Sequence, residues 1–214
     1  MTQTIHIHGH TFELHPSGAV YWKDRAMLLI ADVHFGKVAH FRKHGAAIPA
    51  QATRTNFNKL EVLLAVYEPR SICFLGDLFH SSINNEWNFF EEWIGKTNID
   101  VILIQGNHDI IPVYKFEDIG IEVKMQLQLD AFIFTHHPIE DPKLFNIAGH
   151  VHPGVRLRGV GRQQHRFSCF YKTKNQLILP AFGAFTGKHI VSPVETDEVF
   201  AIADGEVLCV SSQS

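Results

Sequence analysis

Seven side chains able to hold a metal stand directly after apolar runs: Asp32 and His34, Asp77, Asn107, His136, His150 and His152. Carboxylate, amide oxygen and imidazole together suit a borderline divalent ion such as Mn, Fe or Zn, whereas Mg and Ca favour oxygen alone. Seven donors are too many for one tetrahedral ion. A carboxylate can bridge two ions, and paired ions ~3.5–4 Å apart clamp the attacking and leaving oxygens of an in-line displacement. Asp77, central in the order, is the natural bridge.

These side chains converge only if the strands that deliver them end on one edge of a sheet, where open α/β folds place their ligands. The runs 26–31, 72–75 and 101–104 are short and apolar throughout, as expected of strands buried on both faces. Between them Phe57, Leu60, Leu63, Leu64 and Tyr67 keep helical spacing, from a start at Pro49 to a stop at Pro69. Trp87, Phe90, Trp93 and Ile94 mark a second amphipathic helix. This rhythm predicts right-handed parallel crossovers.

Ahead of it, alternation at Ile5, Ile7, Phe12, Leu14 and residues 19–22 reads as a β-hairpin. Beyond about Gly120 the helical signal fades, and strands are expected at 125–129, 131–134, 144–148, 167–171, 177–179, 199–203 and 207–210. Asp204-Gly205 forms a favoured hairpin turn between the last two. Two packed sheets with helices outside accommodate the pattern, in one domain spanning residues 1–214, since nothing resembling a linker divides the chain.

Composition excludes several classes. Hydrophobic residues at 45% and charged residues at 19% rule out a disordered chain. Three cysteines, odd in number and widely spaced, suggest neither a disulfide framework nor a zinc knuckle, which fits a reducing cytoplasm. No segment reads as an export signal, and no apolar stretch approaches the ~20 residues needed to span a bilayer. A net charge of -3 lacks the broad basic footprint of a general DNA-binding module.

The segments LLIADVHFGK, FLGDLF, IQGNHD, FTHHP and AGHVHP stand in the order and rough spacing of the motifs D-x-H, GD, GNH[DE], H and GHxH. In this the chain resembles the calcineurin-like binuclear metallophosphoesterases. The resemblance implies an α/β fold, a four-layer αββα sandwich of two mixed β-sheets flanked by helices. It also implies that Asp32, His34, Asp77 and His152 hold one metal, while Asp77, Asn107, His136 and His150 hold the other. His108 falls where the family keeps its catalytic histidine, and Asp109 is expected to orient its imidazole. The expected reaction is attack on phosphorus by a hydroxide bridging two divalent ions, with manganese first among Mn, Fe and Zn, while His108 protonates the departing oxygen or steadies the phosphoryl charge.

HFGKVAHFRKHGAAIP, GHVHPGVRLRG and LPAFGAFTGK are further similar to a bacterial subgroup of ligase-associated DNA-damage-response endonucleases. That likeness implies DNA as substrate and repair proteins such as a ligase or helicase as partners. One departure is plain: where many relatives carry an acid and then Arg after the GD motif, Leu78-Phe79-His80 follow here, so no role transfers from those positions. Competing readings are a phosphodiesterase or pyrophosphatase acting on small nucleotides, and a non-catalytic metal-binding scaffold in a repair assembly.

Around the motifs, Lys37, Arg42 and Arg156 are candidate phosphate-binding residues, with Lys43, Arg158, Arg162 and Arg166 alongside. His137 is the alternative to His136. His40 and His80 are possible pocket members. His6, His8 and His10 could share a strand face as a metal clamp, although solvated strand positions explain them better. His15, His44, His165 and His189 show no partner pattern.

Overall fold

The structure, a computed structural model, describes residues 1–37, 54–80, 82–158, 164–184 and 186–210. The short apolar runs form parallel strands. β4 (Met27–Ile30) and β5 (Ser71–Leu75) are buried throughout, and β6 (Asp100–Ile104) and β7 (Ile121–Lys124) continue the parallel set. An antiparallel meander of β1 (Gln3–Ile7), β2 (His10–Leu14) and β3 (Val20–Trp22) joins β4 and completes a seven-stranded sheet in the order β1 to β7.

Crossovers between the parallel strands run through α1 (Thr55–Tyr67), α2 (Asn85–Lys96) and the short α3 (Val113–Glu117). α1 stops at Glu68, whose left-handed backbone sends its N–H to the Leu64 carbonyl just before Pro69. Its expected start at Pro49 lies outside the described residues. α2 begins at Asn84, whose side chain accepts the Glu86 N–H at 2.8 Å. The parallel unit formed by α3 and β7 was not expected, because a single helical turn carries too few residues to show a period.

The second sheet is mixed. β8 (Leu127–Leu129), β9 (Phe132–Thr135), β10 (Phe145–Ala148), β11 (Pro153–Arg158), β12 (Gln164–Lys172), β13 (Gln176–Ile178) and β14 (His189–Ile190) lie in the order β14-β11-β12-β13-β10-β9-β8. β15 (Glu198–Ala203) pairs with β12, and β16 (Glu206–Cys209) with β15, through a turn whose Asp204 and Gly205 have φ of 50° and 77°. The α/β architecture of two mixed sheets is the one expected.

Strand alternation divides the interior into two cores. Leu29, Ala31, Cys73, Leu75 and Ile104 face the second sheet and pack on Phe132, Phe134, Phe145, Ile147 and Phe170. Their neighbours Leu28, Ile30, Ile72, Phe74 and Leu103 face the helices and meet Phe57, Leu60, Leu63, Trp87 and Phe90. A slip of one residue in β4 or β5 would exchange the two cores, so register is strongly specified.

Among the described residues, the three α-helices α1, α2 and α3 lie on the outer face of the first sheet. The outer face of the second is covered at Asn146 by the loop between β9 and β10. Asn146 is fully buried there: its amide donates to the Ile133 carbonyl and Thr135 Oγ1, and its oxygen accepts the Ile139 N–H at 2.9 Å. Asn146→Ala leaves those partners buried and unmet, an expected loss of about 2–4 kcal/mol. Urea denaturation checks it, as a lower midpoint at unchanged slope.

Candidate metal centre

The carboxyl ends of β4, β5, β6, β9 and β10 open on one edge of the two-sheet core, and each is followed by one or two of the seven candidate ligands. The chain turns sharply there. Asp32, His34, Asp77, His150 and His152 have φ of 55°, 52°, 51°, 66° and 52°, in the left-handed region that costs an L-residue ~1–2 kcal/mol. Asp tolerates it better than most residues do, and strain of this kind gathers where a site dictates side-chain direction.

Glycines before the ligands let these turns crowd together. A methyl group at Gly76, itself at φ +82°, would lie 2.3 Å from His136 Nδ1, and one at Gly106 would lie 2.3 Å from Asp77 Oδ1. Both side chains would have to move.

Ligand atoms converge in two neighbouring groups. In the first, His152 Nε2 lies 3.2 Å from Asp32 Oδ1 and 3.5 Å from His34 Nε2, which is in turn 4.0 Å from Asp77 Oδ2. In the second, His136 Nε2 lies 3.4 Å from Asp77 Oδ1, 3.0 Å from Asn107 Oδ1 and 3.2 Å from His150 Nδ1. The two oxygens of Asp77 are thus divided between the groups. All seven residues expected to ligate are brought together.

The donor set fits cations. Asp32 and Asp77 are 0% and 2% exposed, and among the described residues neither pairs with a lysine or arginine. Among the described residues, Asp32 Oδ1 and His34 Nδ1 are buried without a hydrogen-bond partner. Two buried carboxylates without an ion-paired lysine or arginine are costly unless a cation is supplied. His34 and His150 do not supply it: burial, reinforced by Lys37 and neighbouring histidines, pushes the His34 pKa down to about 2, and burial also lowers His150. His34 stands neutral, with a lone pair available. His136 Nδ1 donates to the Leu75 carbonyl at 2.9 Å, which leaves Nε2 as the ligating atom.

Around the ligands, backbone hydrogen bonds fix the turns. The Asp32 carboxylate accepts the His150 N–H and the Asp77 carboxylate accepts the His108 N–H, both at 2.9 Å. Asp109 differs from its expected role. Its oxygens accept the Phe79 and Gly106 N–H groups at 3.0 and 2.8 Å, and no hydrogen bond joins it to the His108 ring. It is a buried tie between two ligand-bearing loops.

Ties also come from residues the sequence reading passed over. Asn56 on α1 donates to the Val33 carbonyl and accepts the Ala184 N–H, while Phe182 and Gly183 donate to the carbonyls of Ala31 and Asp32. Asn56 falls on the buried helical face with Leu60 and Leu63. A polar residue at that spacing was the available signal.

Other candidates scatter. The exposed His108 ring lies 5.8 Å from the His34 ring and 5.1 Å from His80, and His137 packs on His150 at 3.9 Å. Lys37 is half-buried, and burial lowers its pKa against the opposing pull of the nearby Asp32 and Asp77 carboxylates. Arg156 is exposed on β11 opposite Arg166, about 13 Å of strand beyond His152, so it stands at the rim. His40, Arg42, Lys43, His44 and Arg162 lie outside the described residues. The N-terminal histidines form no clamp: His6 meets Thr11, His8 sits in the turn against Phe132 and Phe145, and His10 accepts from the Trp22 indole.

A family model for the calcineurin-like phosphoesterases matches residues 26–192. Among solved structures, a Pseudomonas putida nuclease called MPE is similar over 98% of this chain and 100% of its own, at 29% identity and a TM-score of 0.83. Yfce, a phosphoesterase from E. coli, matches 86% of this chain and 98% of its own at 17% identity and a TM-score of 0.44. No curated protein gives a significant match. Among the described residues no helix is long and apolar enough to cross a membrane.

The neutral histidines carry a pH signature. Because the folded pKa of His34 lies below its unfolded value, the unfolded chain takes up more protons as pH falls below ~6.5, and stability declines toward the folded pKa. Between pH 6.5 and 5 this group is expected to remove about 2 kcal/mol from the metal-free protein. Denaturation of metal-free protein across that range, with His34→Asn showing the shallower slope, checks the sign and size.

Proposed function

Because the chain belongs to the calcineurin-like phosphoesterase family, a family of metal-dependent hydrolases of phosphoric esters, we propose that it is a phosphodiesterase that cuts DNA as an endonuclease, with manganese as its metal. The observation that carries the reading is the division of Asp77, one oxygen toward each of two ligand groups. Similarity to a nuclease along nearly the whole chain supports nucleic acid as the substrate. Three cysteines free of disulfides accord with a cytoplasmic setting.

Asp32, His34, Asp77 and His152 would hold one ion, and Asp77, Asn107, His136 and His150 the other. Such a pair supplies Lewis acidity toward a phosphoryl oxygen and an acidified water. The chain supplies the rest. Neutral His34 and His150 leave the net charge of the centre to the carboxylates, and the Leu75 carbonyl fixes the ring of His136. Lys37 adds a cation beside Asp32 and Asp77 that draws an anionic substrate inward. His108, exposed beside the first group, protonates the departing oxygen or steadies charge on the phosphoryl group.

A small nucleotide is the competing substrate, favoured by the net charge of -3. Manganese-reconstituted protein is expected to hydrolyse bis(p-nitrophenyl) phosphate and to cut plasmid and short single-stranded DNA. Nucleotide cleavage without DNA nicking would overturn the DNA assignment. His108→Ala is expected to lower turnover by roughly 10²–10⁴-fold while elemental analysis finds metal content unchanged.

A further inference from the structure

Beside the first ligand group, a cavity of about 240 Å³ opens between the Pro16-Ser17 turn, α1 and residues 181–184 and 186–188. His152 belongs both to that ligand group and to the cavity wall. The rest of the lining includes Lys59, Lys188, Ser168 and Thr186, with no acidic side chain. Two cations and hydroxyls thus face a space that begins one side chain from the proposed metals.

Lys59 is the informative residue. Its ammonium is partly buried, donates to the Phe182 carbonyl at 2.8 Å and sits 4.8 Å from the Phe182 ring centre. An ammonium has three donors, so the carbonyl leaves two unspent. Burial lowers its pKa, and no neighbouring carboxylate opposes the shift. Neither lysine forms an ion pair among the described residues. Nor can the remaining residues supply a side-chain carboxylate, because 38–53, 81, 159–163, 185 and 211–214 contain no Asp or Glu. A partly buried cation without a countercharge is costly, and an anionic ligand is what relieves it.

We infer that this cavity binds the phosphate next to the one being hydrolysed, gripped by Lys59 and Lys188, so that the enzyme selects substrates carrying two consecutive phosphates. The inference rests on the phosphodiesterase reading and narrows its substrate class. The second phosphate has two possible sources, an internal linkage of a nucleic-acid strand or the terminal phosphate of a short nucleotide. Both present the same anionic oxygens to the lysines.

The test places the change in the substrate. Manganese-loaded full-length protein is given short single-stranded DNA in which the phosphate on one side of the cleaved linkage, then on the other, is replaced by an uncharged methylphosphonate. A second arm compares a dinucleotide with and without its terminal 5′-phosphate. On one side only, removing the charge is expected to raise KM about tenfold, and in Lys188→Ala that penalty is expected to shrink toward one. Lys188 is exposed, so its replacement does not threaten folding, and Lys59→Met gives a second reading of the same coupling. A response in the DNA arm assigns the cavity to an internal linkage, and one in the dinucleotide arm alone assigns it to a terminal phosphate. An equal penalty in wild type and both variants, or none on either side, overturns the subsite while hydrolysis of bis(p-nitrophenyl) phosphate leaves the parent reading standing. Absence of all turnover overturns both.

Discussion

Two carboxylates, Asp32 and Asp77, sit almost without solvent contact at the meeting point of two sheets, and among the described residues no lysine or arginine forms an ion pair with either. That uncompensated charge governs the organisation around it. Desolvating a carboxylate is tolerable when hydrogen bonds and a cation meet it, and prohibitive otherwise. Two peptide N–H groups supply part of the compensation, those of His150 and His108, and each comes from a loop that itself presents a candidate ligand. The interaction that offsets the charge therefore also positions the donors.

The left-handed turns at five ligand positions run against backbone preference, and they persist because the surroundings hold them. Asp109 ties the loop after β5 to the loop after β6, and Asn56 with the segment at 182–184 ties the loop after β4 to α1. Beneath these ties lie two cores rich in phenylalanine, one between the sheets and one under the helices. Close packing on both faces of β4 and β5 gives the strand ends little freedom to slide, so small displacements of the ligands meet resistance from both cores.

Much of this was legible beforehand. The runs ending at Asp32, Asp77 and Asn107 mark buried strands because nothing polar interrupts them, and the helical spacing of Phe57, Leu60 and Leu63 places α1 between two of them. What escaped notice was local and short. The single turn of α3 shows no period, and the cover over Asn146 is a loop. Asp109 reads like a catalytic partner because it follows His108, yet adjacency in the chain says nothing about where a side chain points once the backbone turns.

By itself the sequence determined the candidate ligands, the strands that deliver them and the chemistry such donors favour, because residue type and period are properties of the chain read in order. The tertiary structure alone decided the division of Asp77 between two groups, the tautomer of His136, the tie that Asp109 makes between two loops and the cavity lined by Lys59 and Lys188. Each depends on distances between atoms far apart along the chain. Such distances are set by how two sheets pack, which no local pattern of residues encodes.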